Sequence, residues 1–469
     1  MWTPLITDIL FYLLLLGLVA YIGYTVRSAR MREPWRRVFG RPMGAATVVV
    51  LLAFVGIALL DSIHYKPPVT NAAGEVVRYG PEVISAFDAL VTPLRSHGEK
   101  TYSAPFATHL YTKEMMPQPD GGTAFVYPPL HYGGVHLAPG QSKWLDIVHK
   151  ALRGVLWGGL ATIALLIVSL AIGAVAARRS PRATAGMLLR GRNVVAWRTT
   201  LVAFLLLAVV VAVLVSLSDG YHVLGTDKIG QDVLYMTIKS IRTGVLIGTL
   251  TTLVMLPFAL LLGPMAGYFR GWVDDLIQYV YTTLSSIPGV LLIVAAMLVL
   301  QVYVQNHPDL FDSAASRADI RLLFLCVILG ITSWASLCRV LRAETLKLTQ
   351  IEYVQAATAL GVGHFRILGR HLLPNVMHLV LIQIVLDFSA LVLAEAVLSY
   401  IGVGVSPNTY SWGNMINSAT LELARDPVVW WPLAAAFIFM LGLVLSANLF
   451  SDTVRDAFDP RLRYGLAST

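Results

Sequence analysis

The chain has 469 residues, of which 56% are hydrophobic and 13% charged, against about 25% charged in an ordinary soluble domain. With a mean hydropathy of +0.68, this composition excludes a cytosolic globular enzyme. The formal net charge of +8 does not point to nucleic acid, because the basic residues flank apolar runs instead of forming one solvated patch.

A helix that crosses a bilayer needs about 20 mostly apolar residues. Nine segments approach or exceed that length: 9–26, 44–60, 152–177, 199–217, 244–268, 277–304, 321–341, 374–399 and 429–450. The expected fold is therefore an all-α polytopic bundle of about nine transmembrane helices. Lys and Arg in short loops are held on the cytoplasmic side. The first span has no Lys or Arg before it and is followed by Arg27, Arg30, Arg32, Arg36, Arg37 and Arg41. That is the wrong flank order for a cleavable signal peptide, so the span reads as a retained anchor with the N-terminus outside. A second run, Arg178, Arg179, Arg182, Arg190, Arg192 and Arg198, follows two spans later and is placed inside as well.

Between the two arginine runs, residues 61–150 form a polar stretch that the same alternation places outside, long enough for a small folded cap. His131 and His136 flank Gly133-Gly134 there, but with no Cys or spaced third ligand the pair reads as incidental and not as a metal site. Residues 218–243 are placed outside too, and contain the string His222-Val223-Leu224-Gly225-Thr226-Asp227-Lys228-Ile229-Gly230-Gln231-Asp232. Thr226 and Asp227 before a helical run read as an N-cap; lining the outer mouth and receiving another protein stay open for Gly225, Thr226, Asp227 and Asp232. Pro257, Pro264 and Pro288, with Gly263, Gly267 and Gly289, interrupt two spans and allow kinks. Cys326 and Cys338 share one apolar segment and give no disulfide framework.

Continuing the alternation places residues 339–373 and the tail from 451 inside. In this loop the Ala-rich stretch 353–360 favours helix, Gly361 is a breaker, and 364–373 reads as a second short helix stopped by Pro374. The product is a helix-Gly-helix hairpin on the membrane surface. A plain connection needs only a few residues, so a structured loop of this length points to contact with another protein; a helix that merely caps the bundle is the alternative.

The order Gln355-Ala356-Ala357, three residues, Gly361, nine residues, His371-Leu372-Leu373-Pro374 resembles the EAA loop of ATP-binding-cassette (ABC) importer permeases, E-A-A-x3-G-x9-I-x-L-P. Gln355 stands where that pattern has Glu, and His371 where it has Ile. The string from His222 to Asp232 is similar to the H-P-L-G-T-D-x-x-G-R-D segment of the C-type subunit of dipeptide and oligopeptide importers. Leu393 to Gly404 followed by Ser411-Trp412-Gly413, and the tail from Arg455 to Arg463, also resemble that subfamily. The resemblance covers residues 199–463 and implies a six-helix permease domain over 199–469, with the coupling loop at 352–374. Residues 1–198 form an N-terminal extension of three helices and the outer domain.

The resemblance further implies partners: a second homologous permease, two cytoplasmic ATPase subunits and an external substrate-binding protein, all in or at a bacterial inner membrane. No Gly-x4-Gly-Lys-Ser/Thr loop occurs, so ATP and Mg are expected on the partner subunits, with no cofactor on this chain and no covalent catalysis. Gln355, Ala356, Ala357, Gly361, Arg366, Leu373 and Pro374 are the expected coupling residues. Asp387 and Glu395, eight positions apart in one span, are pathway candidates because charge at membrane depth is costly. Structural hydrogen bonding, or a proton relay in an ATP-independent secondary transporter, stays open for them.

Overall fold

The computed structural model describes residues 2–70, 76–80, 82–117, 122–138, 140–177, 196–307 and 313–458. Five arginines of the second basic run, Arg178 to Arg192, and the tail motif beyond Phe458 lie outside the described residues. Among the described residues, nine helices are long and apolar enough to cross a membrane.

In chain order the helices are α1 (Ile6–Arg27), α2 (Ala29–Gly40), α3 (Pro42–Asp61), α4 (Ala86–Leu90), α5 (Thr92–Ser96), α6 (Lys143–Ala177) and α7 (Trp197–Ser218). There follow α8 (Val233–Phe269), α9 (Gly271–Ser286), α10 (Gly289–Asn306), α11 (Ala314–Leu348), α12 (Glu352–Ala359), α13 (His364–Ile367), α14 (Leu373–Tyr400), α15 (Trp412–Leu423) and α16 (Trp431–Phe458). The strands are confined to the loop between α3 and α6. They form three antiparallel pairs: β1 (His64–Tyr65) with β4 (Ile84–Ser85), β2 (Pro68–Thr70) with β3 (Val76–Tyr79), and β5 (Glu114–Pro117) with β6 (Thr123–Val126).

The chain divides into two compact units, each assembled from three segments. The first holds 1–3, 30–243 and 410–453, and so contains the loop domain. Its helices α6 and α7 touch at backbone distance. A Cβ added at Gly154 would lie 2.5 Å from Val213 Cα, and one at Gly158 would lie 2.6 Å from Val209 Cα. Two glycines four positions apart remove side chains from one stripe of α6, which is how apolar helices gain close van der Waals contact without a hydrophobic driving force between them.

The second unit holds 4–29, 244–409 and 454–469. Here Gly263 and Gly267 of α8 lie against α11, where a Cβ would meet Leu341 Cβ at 2.8 Å and Thr345 Cβ at 2.7 Å. These glycines serve packing. Pro257 and Pro264 sit inside an uninterrupted α8, whereas Pro288 does break the chain. The expected sixth span over 277–304 is two helices, α9 and α10, parted at Ile287-Pro288; Pro disfavours the α conformation in the residue before it, and Ile287 is extended at φ −85°, ψ 129°. The start of α1 is capped from far along the chain: the Asp319 carboxylate accepts from the Ile6 N–H at 2.9 Å, the Thr7 N–H at 3.3 Å and the Thr7 hydroxyl.

Candidate functional site

Two clusters of polar and exposed side chains stand out, one in each unit. In the second unit α12 leads through Leu360 and Gly361, at φ +72°, into α13. The left-handed backbone at Gly361 reverses the chain at no steric cost to glycine. One face of this hairpin is buried: Val354, Ala357, Ile367, Leu368 and Leu372 form a core cluster against Met265, Tyr268 and Phe269 at the end of α8. The Tyr268 hydroxyl and His364 Nδ1 lie 2.9 Å apart, and Asn375 Nδ2 donates to the Tyr353 hydroxyl at 2.9 Å.

The other face is open. Gln355, Ala356, Gly361, Arg366 and Pro374 are exposed, Leu373 is half-buried, and Ala357 alone of the seven expected coupling residues is buried. Two residues absent from that expectation are the most prominent: Leu360 is 83% exposed and Phe365 79%. Their signal was present in the sequence as apolar residues on either side of a glycine turn, where burial in the chain's own core is geometrically excluded. Beside them is a groove with room of about 620 Å³, walled by Tyr268, Arg270, Gln350, Gln355, Thr358 and His364 among others.

Pro374 does not stop the second helix. Leu368–Leu372 form a π-helical turn that runs directly into α14 with Pro374 in its first turn. The first N–H groups of a helical segment have no partner inside it, and the wider π turn relieves the clash of the ring with the preceding carbonyl. Hairpin and membrane span are thus one continuous helical body.

The acids of α14 differ from each other. Glu395 is buried and accepts from the Ser399 hydroxyl at 2.6 Å; the same Ser399 oxygen accepts from the Val405 N–H at 3.2 Å. It braces the turn after α14. Asp387 is half-buried, accepts from Gln383 Nε2 at 2.8 Å through Oδ1, and leaves Oδ2 without a partner among the described residues.

In the first unit the string His222 to Asp232 is the seat of the loop domain. The Thr226 N–H donates to Ser103 O at 3.0 Å, the Phe106 N–H to His222 O at 3.0 Å, and the Glu99 N–H to Gly230 O at 2.9 Å. Thr226 Oγ1 donates to Thr101 O at 2.8 Å and accepts from the Ser103 N–H at 2.7 Å. Asp227 Oδ1 accepts from the N–H groups of Ile229 and Gln231 at 3.0 and 2.8 Å, closing a turn with Gly225 and Gly230 at φ +73° and +78°. Neither Thr226 nor Asp227 caps a helix. The helix starts at Val233, and its cap is Asp232, whose Oδ1 accepts from the Tyr235 N–H at 3.1 Å.

The second oxygen of Asp232 holds His222 Nδ1 at 2.7 Å, and the other ring nitrogen faces Glu99 Oε1 at 3.4 Å. Glu99 in turn accepts from the N–H groups of His131, Tyr132 and Gly133. Burial alone would discharge the imidazolium, but the two carboxylates outweigh it and raise His222 to about 9. Burial would likewise raise Glu99, yet His222 and the three N–H groups hold it down at about 2. Nearby, Lys239 pairs with Asp88 and lies 3.4 Å from Asp61. His136, read as incidental, pairs with Asp146 at 2.8 Å. Sequence reasoning missed Glu99, because its partners are 32 to 123 positions away.

Residues 256–464 match the binding-protein-dependent transport system inner membrane component family. The oligopeptide transport system permease protein OppC of Mycobacterium tuberculosis is 32% identical over 242 residues, covering 52% of this chain and 77% of that protein. The chain belongs to this family. Two further relatives have the same reach. The glutathione transport system permease protein GsiD of Pectobacterium atrosepticum is 29% identical over 243 residues (52% of this chain, 73% of the relative). The dipeptide transport system permease protein DppC of Bacillus subtilis is 28% identical over 242 residues (52% and 69%). As a binding-protein-dependent transport component, the chain is a multi-pass membrane permease subunit of an ABC importer and works with other components of that importer. The matched region contains the whole hairpin and both acids of α14.

Proposed function

We propose that this permease forms half of a translocation pathway for peptides or similar small solutes, the other half coming from a homologous second permease. Two ATPase subunits on the cytoplasmic side grip the hairpin of α12 and α13 and hold the ATP and Mg, while an external binding protein delivers the solute. The N-terminus faces outward and the C-terminus inward, in line with the six arginines after the first span. Residues 1–198 are an extension of the permease domain at 199–469, and their loop domain covers the outer side.

The observation that carries this reading is the half-finished hairpin. One face is packed against α8 of the same chain, while Leu360 and Phe365 project without cover. A short helix seated in a partner's groove moves as a rigid body, and the unbroken helical path into α14 lets that motion reach the span directly. The printed names of the relatives, for oligopeptide, dipeptide and glutathione transport, favour a peptide-like solute. The half-bonded Asp387 suits the pathway wall, and the fully engaged Glu395 suits a brace. Cysteines at Ala356 and Gly361 test the coupling role. In membranes they should cross-link to ATPase subunits that copurify with the chain in mild detergent, together with a second permease. Copurification that recovers the chain alone, or labelling of these cysteines only from the external face, would overturn the proposal.

A further inference from the structure

Helix α9 presents two different exposed faces. Asp275, Gln278, Tyr279, Thr282, Thr283 and Ser286 line a groove of about 450 Å³. Their spacings of three and one put them on a single arc at 100° per residue. A neighbouring arc of the same helix exposes Trp272, Leu276 and Val280. The third face is packed: Ile277 and Tyr281 belong to a core cluster with Met255 of α8, Trp334 of α11 and Val380 of α14.

The packed face fixes where the polar one stands. Asp274, the neighbour of Asp275, is held by Arg342 at 2.5 and 2.6 Å, near the end of α11 that leads into the hairpin. Arg339 stands over the Tyr281 ring at 5.6 Å. From there α9 climbs among three membrane-spanning helices, and Asp275 and Ser286 are about 16 Å apart along its axis. The side chains of Asp275, Tyr279, Thr282 and Thr283 have no hydrogen-bond partner among the described residues, while Ser286 Oγ donates to Thr283 O at 2.7 Å. Lipid satisfies none of these groups, and a carboxylate at membrane depth faces water or a protein partner. The apolar arc with Leu276 and Val280 is the one suited to lipid.

We infer that this polar face of α9 lines the hairpin-side part of the translocation pathway, its occupant being water and the passing solute. The inference rests on the permease reading and adds the wall that reading lacked. Three hydroxyls, a phenol, an amide and one carboxylate form a lining that hydrogen-bonds a neutral or zwitterionic solute and offers Asp275 to its ammonium group. A sugar without a cationic group would leave that carboxylate unused.

The test uses the assembled importer in liposomes, with Thr282→Cys, Ser286→Cys and Leu276→Cys made singly. The unsubstituted chain serves as blank, since Cys326 and Cys338 are buried. The probe is the membrane-impermeant trimethylammonium methanethiosulfonate reagent, which attacks the thiolate and needs water to reach it. Thr282→Cys and Ser286→Cys should react at least about tenfold faster than Leu276→Cys. Equal rates at the three positions would return this face to lipid and overturn the inference. Disulfide capture of Thr282→Cys by the second permease, without labelling, would make it a subunit seam and overturn it equally. Failure of ATPase subunits to copurify with the unsubstituted chain would strike the permease reading itself, whatever the labelling rates.

Discussion

The loop domain's charge network and the hairpin of α12 and α13 solve opposite problems. Around His222 each charge is buried and answered within the chain: Asp232 and Glu99 flank the ring, and three backbone N–H groups complete Glu99. At the hairpin the chain completes only one face, and apolar Leu360 and Phe365 stay uncovered. Buried charge is retained only where its partners are supplied at folding. Exposed apolar tips of this size mark a surface that another protein covers. The first region is thus a finished lock, and the second an unfinished joint.

The largest effect should come from breaking the lock. His222→Leu leaves Glu99 and Asp232 buried with their shared cation gone, which costs about 3–5 kcal/mol. Thermal unfolding in detergent and proteolysis of the segment 61–150 should both report it, and unchanged melting would remove the network from the stability of this unit. The same lock carries a pH signature. His222 is raised from 6.5 to about 9, so its contribution is complete below 6.5 and fades as the pH climbs through 9. Glu99 is lowered from 4.5 to about 2, so its contribution is complete above 4.5 and fades as the pH falls towards 2. Protease resistance of the loop domain should therefore peak between pH 4.5 and 6.5, and a flat profile would contradict the ion-pair geometry.

Breaking the joint should leave the chain folded and alone. Leu360→Asp and Phe365→Asp place charge on tips that touch little of this chain, so its own melting should hold. Each change should weaken ATPase binding by roughly 2 kcal/mol, about 30-fold, if these tips are anchors in a partner's groove. Pull-down from detergent extracts measures it directly. Undiminished recovery of the ATPases with both substitutions would show that the joint lies elsewhere. A smaller effect belongs to Gly158→Val, which drives a branched side chain into the Val209 backbone at the α6 and α7 seam. Overpacking of this kind costs about 1–3 kcal/mol, so melting of the first unit should drop while ATPase recovery stays constant.

The two regions were unequally legible in the sequence. Nine spans could be read because bilayer thickness imposes a length on each apolar run, and the hairpin because its Ala-rich helix, Gly361 and Pro374 lie close together. Where the readings went astray, local and distant signals competed. Thr226 and Asp227 look like a cap in sequence, but the segment from Thr101 to Phe106, more than a hundred positions earlier, claims that loop, and Asp232 takes the cap. The 277–304 run is apolar throughout, which hides the interruption at Ile287-Pro288 and the polar face of α9. Gly154 and Gly158 were visible as a spaced pair, yet nothing local says which helix they meet. Glu99 is an ordinary loop glutamate until folding brings His222 to it.

The smallest expected effect concerns Gln355, the position where the permease pattern carries Glu. Its Nε2 donates to Gln350 O at 3.2 Å across an exposed turn, and Gln355→Glu would replace that donor with a carboxylate facing the same carbonyl. Against this loss stands a gain, because a negative charge near the start of α12 opposes the helix dipole favourably. Both terms are exposed to solvent, so chain stability should move by no more than about 0.5 kcal/mol. ATPase recovery should move by less than about threefold, the range of a rim charge as opposed to a buried anchor. A tenfold rise in affinity would instead place position 355 inside the gripped surface beside Leu360 and Phe365, and would mean that the partner of this chain retains a basic group for which Gln355 is an imperfect match.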